Sequence, residues 1–105
     1  FAANDMMALG CLFALNHAGI QAPRDIAIAG FDDIPLARYV HPSLTTMRVD
    51  IAELGGRALR VLLESAARPD DGGDAAPVQP LVPQLMVRES SVSRAGGKAR
   101  VSAAS

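Results

Sequence analysis

Apolar residues run almost without interruption near the start of the chain: Met6, Met7, Ala8, Leu9, Cys11, Leu12, Phe13, Ala14 and Leu15, with no proline before Gly19. This run of helix formers follows Asn4 and Asp5, either of which can accept the first free backbone N–H groups. It predicts a helix over residues 6–18 that ends where Gly19 can take a left-handed capping conformation. The apolar side chains encircle the axis instead of forming one stripe, so the helix is expected to be covered on more than one side. Gln21, Ala22, Pro23, Arg24 and Asp25 form a polar turn. The next stretch, residues 26–30, is apolar without alternation, the pattern of a strand buried on both faces of a parallel sheet. Helix, short loop and buried strand make an α/β unit. Phe1, Ala2 and Ala3 read as the end of a further strand running into the helix, as expected of a piece of a longer protein.

Residues 34–42 are expected to be a loop or a short helix, and Leu44, Thr45, Thr46, Met47, Arg48 and Val49 have the β-branched content and alternation of another strand. A second helix comes next, because Ile51, Leu54, Ala58, Val61 and Leu62 recur at helical spacing with Glu53, Arg57, Arg60 and Glu64 on the other face. Asp50 and Glu53 have the spacing of a capping box, and Glu53 and Arg57 that of an i, i+4 ion pair worth a few tenths of a kcal/mol. Proline, glycine and aspartate exclude regular structure from residues 68–80, and residues 81–88 are a last strand interrupted by Pro83. From residue 91 onward, serine, glycine, alanine and arginine predict a disordered tail.

A length of 105 residues allows one domain at most. Ten basic against eleven acidic side chains give a net charge of -1, and hence no overall positive field for neutralising nucleic-acid phosphates. Cys11 is the single cysteine, so no internal disulfide forms, and a reducing, cytoplasmic setting is expected. No stretch approaches the ~18–20 apolar residues needed to cross a bilayer. His17 and His41 have no metal-ligand spacing to each other or to a carboxylate, so neither a metal nor a cofactor is expected.

The chemistry worth pursuing lies at Asp32 and Asp33, which stand at the carboxyl end of the 26–30 strand, the edge where open α/β sheets collect ligands. They read equally as a solvated turn pair. General acid and base work is excluded, because no nucleophile with an oriented base and no phosphate-cradling glycine loop accompanies them; the chain is not expected to be an enzyme.

A set of short motifs then falls in order along the chain: Ala3-Asn4-Asp5-Met6-Met7-Ala8-Leu9-Gly10, Pro23-Arg24-Asp25-Ile26, Gly30-Phe31-Asp32-Asp33-Ile34, Pro42-Ser43-Leu44-Thr45-Thr46, Gly55 with Arg57-Ala58, and Leu85-Met86-Val87-Arg88-Glu89-Ser90. Each is weak alone, but together they resemble the carboxyl-terminal part of LacI/GalR-type transcriptional regulators over about residues 1–90. The resemblance implies an α/β chain forming part of a periplasmic-binding-protein-like, type I two-lobed fold, with parallel sheets flanked by helices and incomplete in this chain. Residues 1–47 would belong to the C-terminal lobe, 48–80 to the N-terminal lobe and 81–90 to a strand returning to the first, with 91–105 the tail.

The function implied is the effector-sensing and dimerisation segment of a DNA-binding regulator, a repressor responding to a small molecule such as a sugar. Its helix-turn-helix is absent from this chain, so operator DNA is a partner only through that other part. By the same resemblance Asn4 and Asp32 are effector-binding residues, with Asp5 left as the helix cap. Leu9, Cys11, Tyr39 and His41 lie at the homodimer seam, with Leu44 in the same loop, and Thr46, Met47 and Arg48 form the hinge. Cys11 is expected to behave as a small buried hydrophobe. A periplasmic sugar-binding protein of a transport system shares the two-lobed architecture and is the alternative; the all-round apolar first helix, which asks for a partner, favours the regulator. With half of each lobe's sheet missing, the isolated chain is expected to expose a large apolar patch.

Overall fold

The computed structural model describes residues 1–67 and 79–92. The chain divides into two units, one of Phe1–Arg48 with the segment from Leu85 onward, the other Val49–Gln84.

In the first unit, helix α1 (Asp5–His17) opens on Asn4, whose side-chain oxygen accepts the Met7 N–H at 2.8 Å. It closes as the glycine signal predicts. Gly19 sits at φ 74°, its N–H donates to Asn16 O at 3.0 Å, and the Ile20 N–H donates to Leu15 O at 2.9 Å, which satisfies the last free carbonyls. Strands β1 (Ala29–Phe31) and β2 (Thr45–Arg48) are parallel, with Gly30 level with Thr46 and Phe31 with Met47. The sheet order is β1, β2, then β3 (Gln84–Met86). Between β1 and β2 the chain makes a single 3-10 turn, Pro35–Arg38, with proline at its start, where no backbone N–H is required.

β1 begins later than the apolar run at 26–30 suggests. The Ile28 N–H donates to Ser90 O at 2.9 Å and Ile28 O accepts the Ser90 hydroxyl at 2.7 Å, so this part of the run is bonded to the returning chain, not to β2. The last strand is likewise shorter than the predicted 81–88, and the chain beyond it turns into a short 3-10 helix, Glu89–Ser91. Phe1 to Ala3 form no assigned strand, although the Ala2 N–H donates to Ala29 O at 2.8 Å and sets this extended segment beside β1.

The core is small: Ala8, Ile28, Ala37 and Leu44, with Leu9, Leu12, Leu15, Ile34 and Val40 packed around it. Leu44 is therefore a core residue and not part of an exposed seam. Gly30 lets α1 lie directly on β1. A Cβ there would stand 3.2 Å from Asp5 Cα and 3.3 Å from the Ala8 methyl, and would run into the Asp5 carboxyl oxygen.

The second unit is built on α2 (Ile51–Ala67), which contains no buried residue. Half of the predicted capping box forms: Asp50 accepts the Glu53 N–H at 2.9 Å, while the Glu53 carboxylate turns instead to Arg57 Nε at 2.6 Å. Its apolar face, with Ile51, Leu54 and Leu62, is exposed. The expectations for residues 68–78 and for the tail from residue 93 lie outside the described residues. No helix among the described residues is long and apolar enough to cross a membrane.

Candidate functional site

The carboxyl ends of β1 and β2 and the start of α1 meet at one edge of the first unit. The extended segment at Ala2 runs beside β1 and leads into Asn4, Asp32 comes directly after the last residue of β1, and Arg48 ends β2 one step beyond the Phe31–Met47 pair. The Asp32 N–H continues the ladder to Met47 O at 2.9 Å. Beyond it the backbone turns sharply: φ is 117° at Asp32 and 53° at Asp33, in the left-handed region that residues with a Cβ rarely adopt. Such a conformation persists only where the surroundings over-determine it, and it is found most often at binding sites.

A pair of buried carboxyl groups over-determines it. Asp5, fully buried, accepts the Thr46 hydroxyl at 2.6 Å and the Ile34 N–H at 2.9 Å, tying the first turn of α1 to β2 and to the loop after β1. The roles expected of Asn4 and Asp5 are thus corrected in part. Asn4 is the cap, because its oxygen reaches the N–H three residues on, and Asp5 is a structural acceptor inside the unit. The Asn4 amide nitrogen makes no hydrogen bond among the described residues.

Asp33 is the second buried carboxyl, with a side chain only 1% exposed. Its Oδ2 accepts Arg48 Nε at 2.6 Å and lies 3.6 Å from Arg38, and its Oδ1 accepts a terminal nitrogen of Arg88. Burial pushes this carboxyl upward. The hydrogen bonds from Arg88 and Arg48, with the positive charges behind them, outweigh burial and hold it below the usual carboxylate range. The two acids after β1 are therefore not one solvated pair. Asp33 is internal and triply partnered by arginines, while Asp32 is exposed and its carboxylate makes no hydrogen bond or ion pair among the described residues. Local sequence pattern does not separate Asp33 from Asp32, because the two arginines that hydrogen-bond it lie 15 and 55 residues away, and only the parallel pairing of β1 with β2 and the return of the chain at Arg88 bring them together.

The returning segment is fastened just as closely. Fully buried Ser90 accepts the Thr45 N–H at 2.8 Å through its hydroxyl oxygen, and the Arg88 N–H donates to Thr45 Oγ1 at 2.8 Å. Of the predicted hinge residues, Thr46 is buried within β2, Met47 pairs with Phe31, and Arg48 is the last residue before the second unit.

The residues expected at a dimer seam do not cluster with Asn4 and Asp32. Tyr39 is 82% exposed, and His41 is equally open with its Nδ1 3.6 Å from Glu89 Oε2. Both line an open concavity of about 650 Å³ with Arg38, Ser43 and Arg88, to which neither Asn4 nor Asp32 contributes. Leu9 is half-buried on α1. Cys11 is exposed, which corrects its expected burial: of α1 only Asp5 and Ala8 are fully buried, Leu9, Leu12 and Leu15 pack against the core in part, and Met6, Met7 and Phe13 stand open. No group of three or more His, Cys, Asp or Glu side chains among the described residues could hold a metal ion.

An α/β unit with polar residues gathered at the carboxyl edge of its parallel strands has the form of a ligand-binding unit. The periplasmic binding protein-like domain model matches residues 1–91, and the chain belongs to that family. It is similar to the HTH-type transcriptional regulator MalR of Streptomyces coelicolor, 41% identical over 100 residues, which is 93% of this chain and 28% of MalR. Among solved structures it is similar to the lac repressor dimer bound to operator and the anti-inducer ONPF, with a TM-score of 0.73 and 30% identity over 88% of this chain and 32% of that one. It is also similar to a LacI family regulator of Enterococcus faecium with bound ribose, with a TM-score of 0.72 and 33% identity over 87% of this chain and 33% of that one. The chain thus spans about three-tenths of the length of these relatives, which are named as transcriptional regulators and a repressor.

Proposed function

We propose that this chain is the effector-sensing and dimer-forming segment of a DNA-binding transcriptional repressor that responds to a small polyhydroxylated molecule such as a sugar. The observation that carries this reading is Asp32: an exposed carboxylate with no partner among the described residues, held in a left-handed backbone at the carboxyl edge of β1. A carboxylate accepts hydrogen bonds from two hydroxyls at once, and the Asn4 amide nitrogen at the same edge adds a donor. The ribose bound by the Enterococcus faecium relative supports a sugar as the ligand class. The exposed apolar side chains of α1, with Tyr39, are the surface that a second copy would cover.

In this reading the two units belong to the two lobes of an effector domain, and the effector acts through its differential affinity for two lobe arrangements. A dimer holds two operator-reading heads at the spacing of two half-sites, so lobe arrangement is passed to operator affinity. Operator contact falls to a part of the protein outside these residues, and the site of action is the cytoplasm, where the DNA is.

The test is an Asp32→Ala substitution in the intact protein that carries these residues. Calorimetric titration with ribose and a panel of mono- and disaccharides is expected to find a ligand for the wild type and at least ~30-fold weaker binding in the variant, while operator affinity without ligand stays the same. Loss of two hydroxyl contacts to a charged acceptor corresponds to roughly 2 kcal/mol or more. Undiminished sugar binding in the variant overturns the assignment.

A further inference from the structure

The chain leaves the first unit after Arg48 and re-enters it at Leu85, and both places are tied to one carboxyl group. On the way out, Arg48 Nε donates to Asp33 Oδ2 at 2.6 Å. On the way back, Arg88 donates to Asp33 Oδ1 through one terminal nitrogen and to the Leu44 carbonyl, at 2.9 Å, through the other. Asp33 presents its carboxyl from a fixed point. Its N–H donates to Thr46 Oγ1 at 3.3 Å, the neighbouring Ile34 N–H is held by Asp5, and its φ of 53° is set between these two anchors.

We propose that Asp33 is a positioning residue that couples the outgoing and returning crossings, so that the two segments shift or stay together instead of moving independently. The proposal rests on the reading of the two units as parts of an effector domain. In that setting it names the regulatory role of the residue next to Asp32: whatever moves the Asp32–Asp33 turn moves both crossings at once. The chemistry requires a carboxylate. Its two oxygens accept from two guanidinium groups simultaneously, each bond charge-assisted. An asparagine there offers one acceptor and turns an NH₂ donor toward the other arginine, leaving that charge half-buried without its partner. A glutamate keeps both acceptors and the charge.

Hydrogen exchange read by mass spectrometry on the intact protein, without added ligand, tests this with Asp33→Asn and Asp33→Glu beside the wild type. Asp33→Asn is expected to raise exchange at least tenfold in both residues 44–49 and residues 84–91, with the α1 amides within twofold of wild type. Asp33→Glu is expected to recover a large part of that protection. Loosening of one segment only, or of neither, overturns the proposal. Should Asp33→Asn open α1 to the same degree, the milder Arg48→Lys and Arg88→Lys variants decide: each is expected to loosen both segments, and loosening of its own segment alone overturns the coupling. Because no ligand is present, failure here leaves the sugar-binding reading standing, and a failed sugar titration leaves this result standing.

Discussion

Two adjacent aspartates at the end of β1 show how far environment divides identical side chains. Asp32 is open to solvent and free to accept from a ligand. Asp33 is sealed against three arginines and belongs to the framework. This difference has a pH consequence. Arg88 and Arg48 overcome the upward push of burial and lower Asp33's folded-state value relative to the unfolded chain, so its contribution to stability is fully present above the unfolded aspartate value of about 3.9 and is lost as pH falls toward the lower folded value. Urea unfolding midpoints of the intact protein, measured from pH 7 down to pH 3, are expected to fall more steeply below about pH 4 in the wild type than in Asp33→Asn. Parallel profiles would show that Asp33 is not linked to folding. The doublet itself was visible in the sequence, but which acid faces solvent was not. That choice depends on φ values of opposite consequence for two neighbouring side chains, and on arginines brought in from β2 and from beyond β3.

At the scale of elements, α1 and β1 meet through the absence of a side chain. Gly30 is where the first turn of the helix touches the strand, and the obstacle to any Cβ includes Asp5's own backbone and the Ala8 methyl. Gly30→Ala is therefore expected to destabilise by about 1–3 kcal/mol, through overpacking and displacement of the Asp5 acceptor. Equilibrium denaturation with an unchanged m-value would measure it, and a variant as stable as wild type would show that α1 can move off the strand at no cost. Boundaries set by local chemistry are the ones the pattern predicts well. The Gly19 cap and the Asp50 and Glu53 start of α2 both arise from hydrogen-bond needs of neighbouring residues, while the turn at 35–38 falls inside a stretch, 34–42, that the pattern leaves as a loop or a short helix. Boundaries set by distant partners are predicted poorly: β1 starts at Ala29 because Ser90 takes the backbone of Ile28, a bond across 62 residues.

For the whole molecule, the informative surface is apolar. Phe13 is 68% and Tyr39 82% exposed, and Met6 and Met7 are open on the same helix as Phe13. Water contact for side chains of this size is costly, at about 25 cal/mol per Å² of apolar surface. In the intact protein this surface is expected to be covered by a second copy. Tyr39→Asp should raise the dimer dissociation constant at least tenfold in sedimentation equilibrium, the order expected for losing a central aromatic anchor. An unaltered dimer in that variant would place the seam elsewhere.

The sequence by itself determined the order of helices and strands, because periodicity, caps and turn residues act over a few positions, and its ordered motifs carried the resemblance to the family to which the chain belongs. The tertiary structure alone decided that Asn4 caps the helix, that Asp5 and Asp33 are internal acceptors, and that Cys11 faces outward. The roles of Asp5 and Asp33 depend on which backbone N–H, hydroxyl or guanidinium arrives from residues far along the chain, whereas the Asn4 cap is made by an N–H three residues on. A carboxyl group's role is set by those arrivals, and strand register, not local pattern, brings them in.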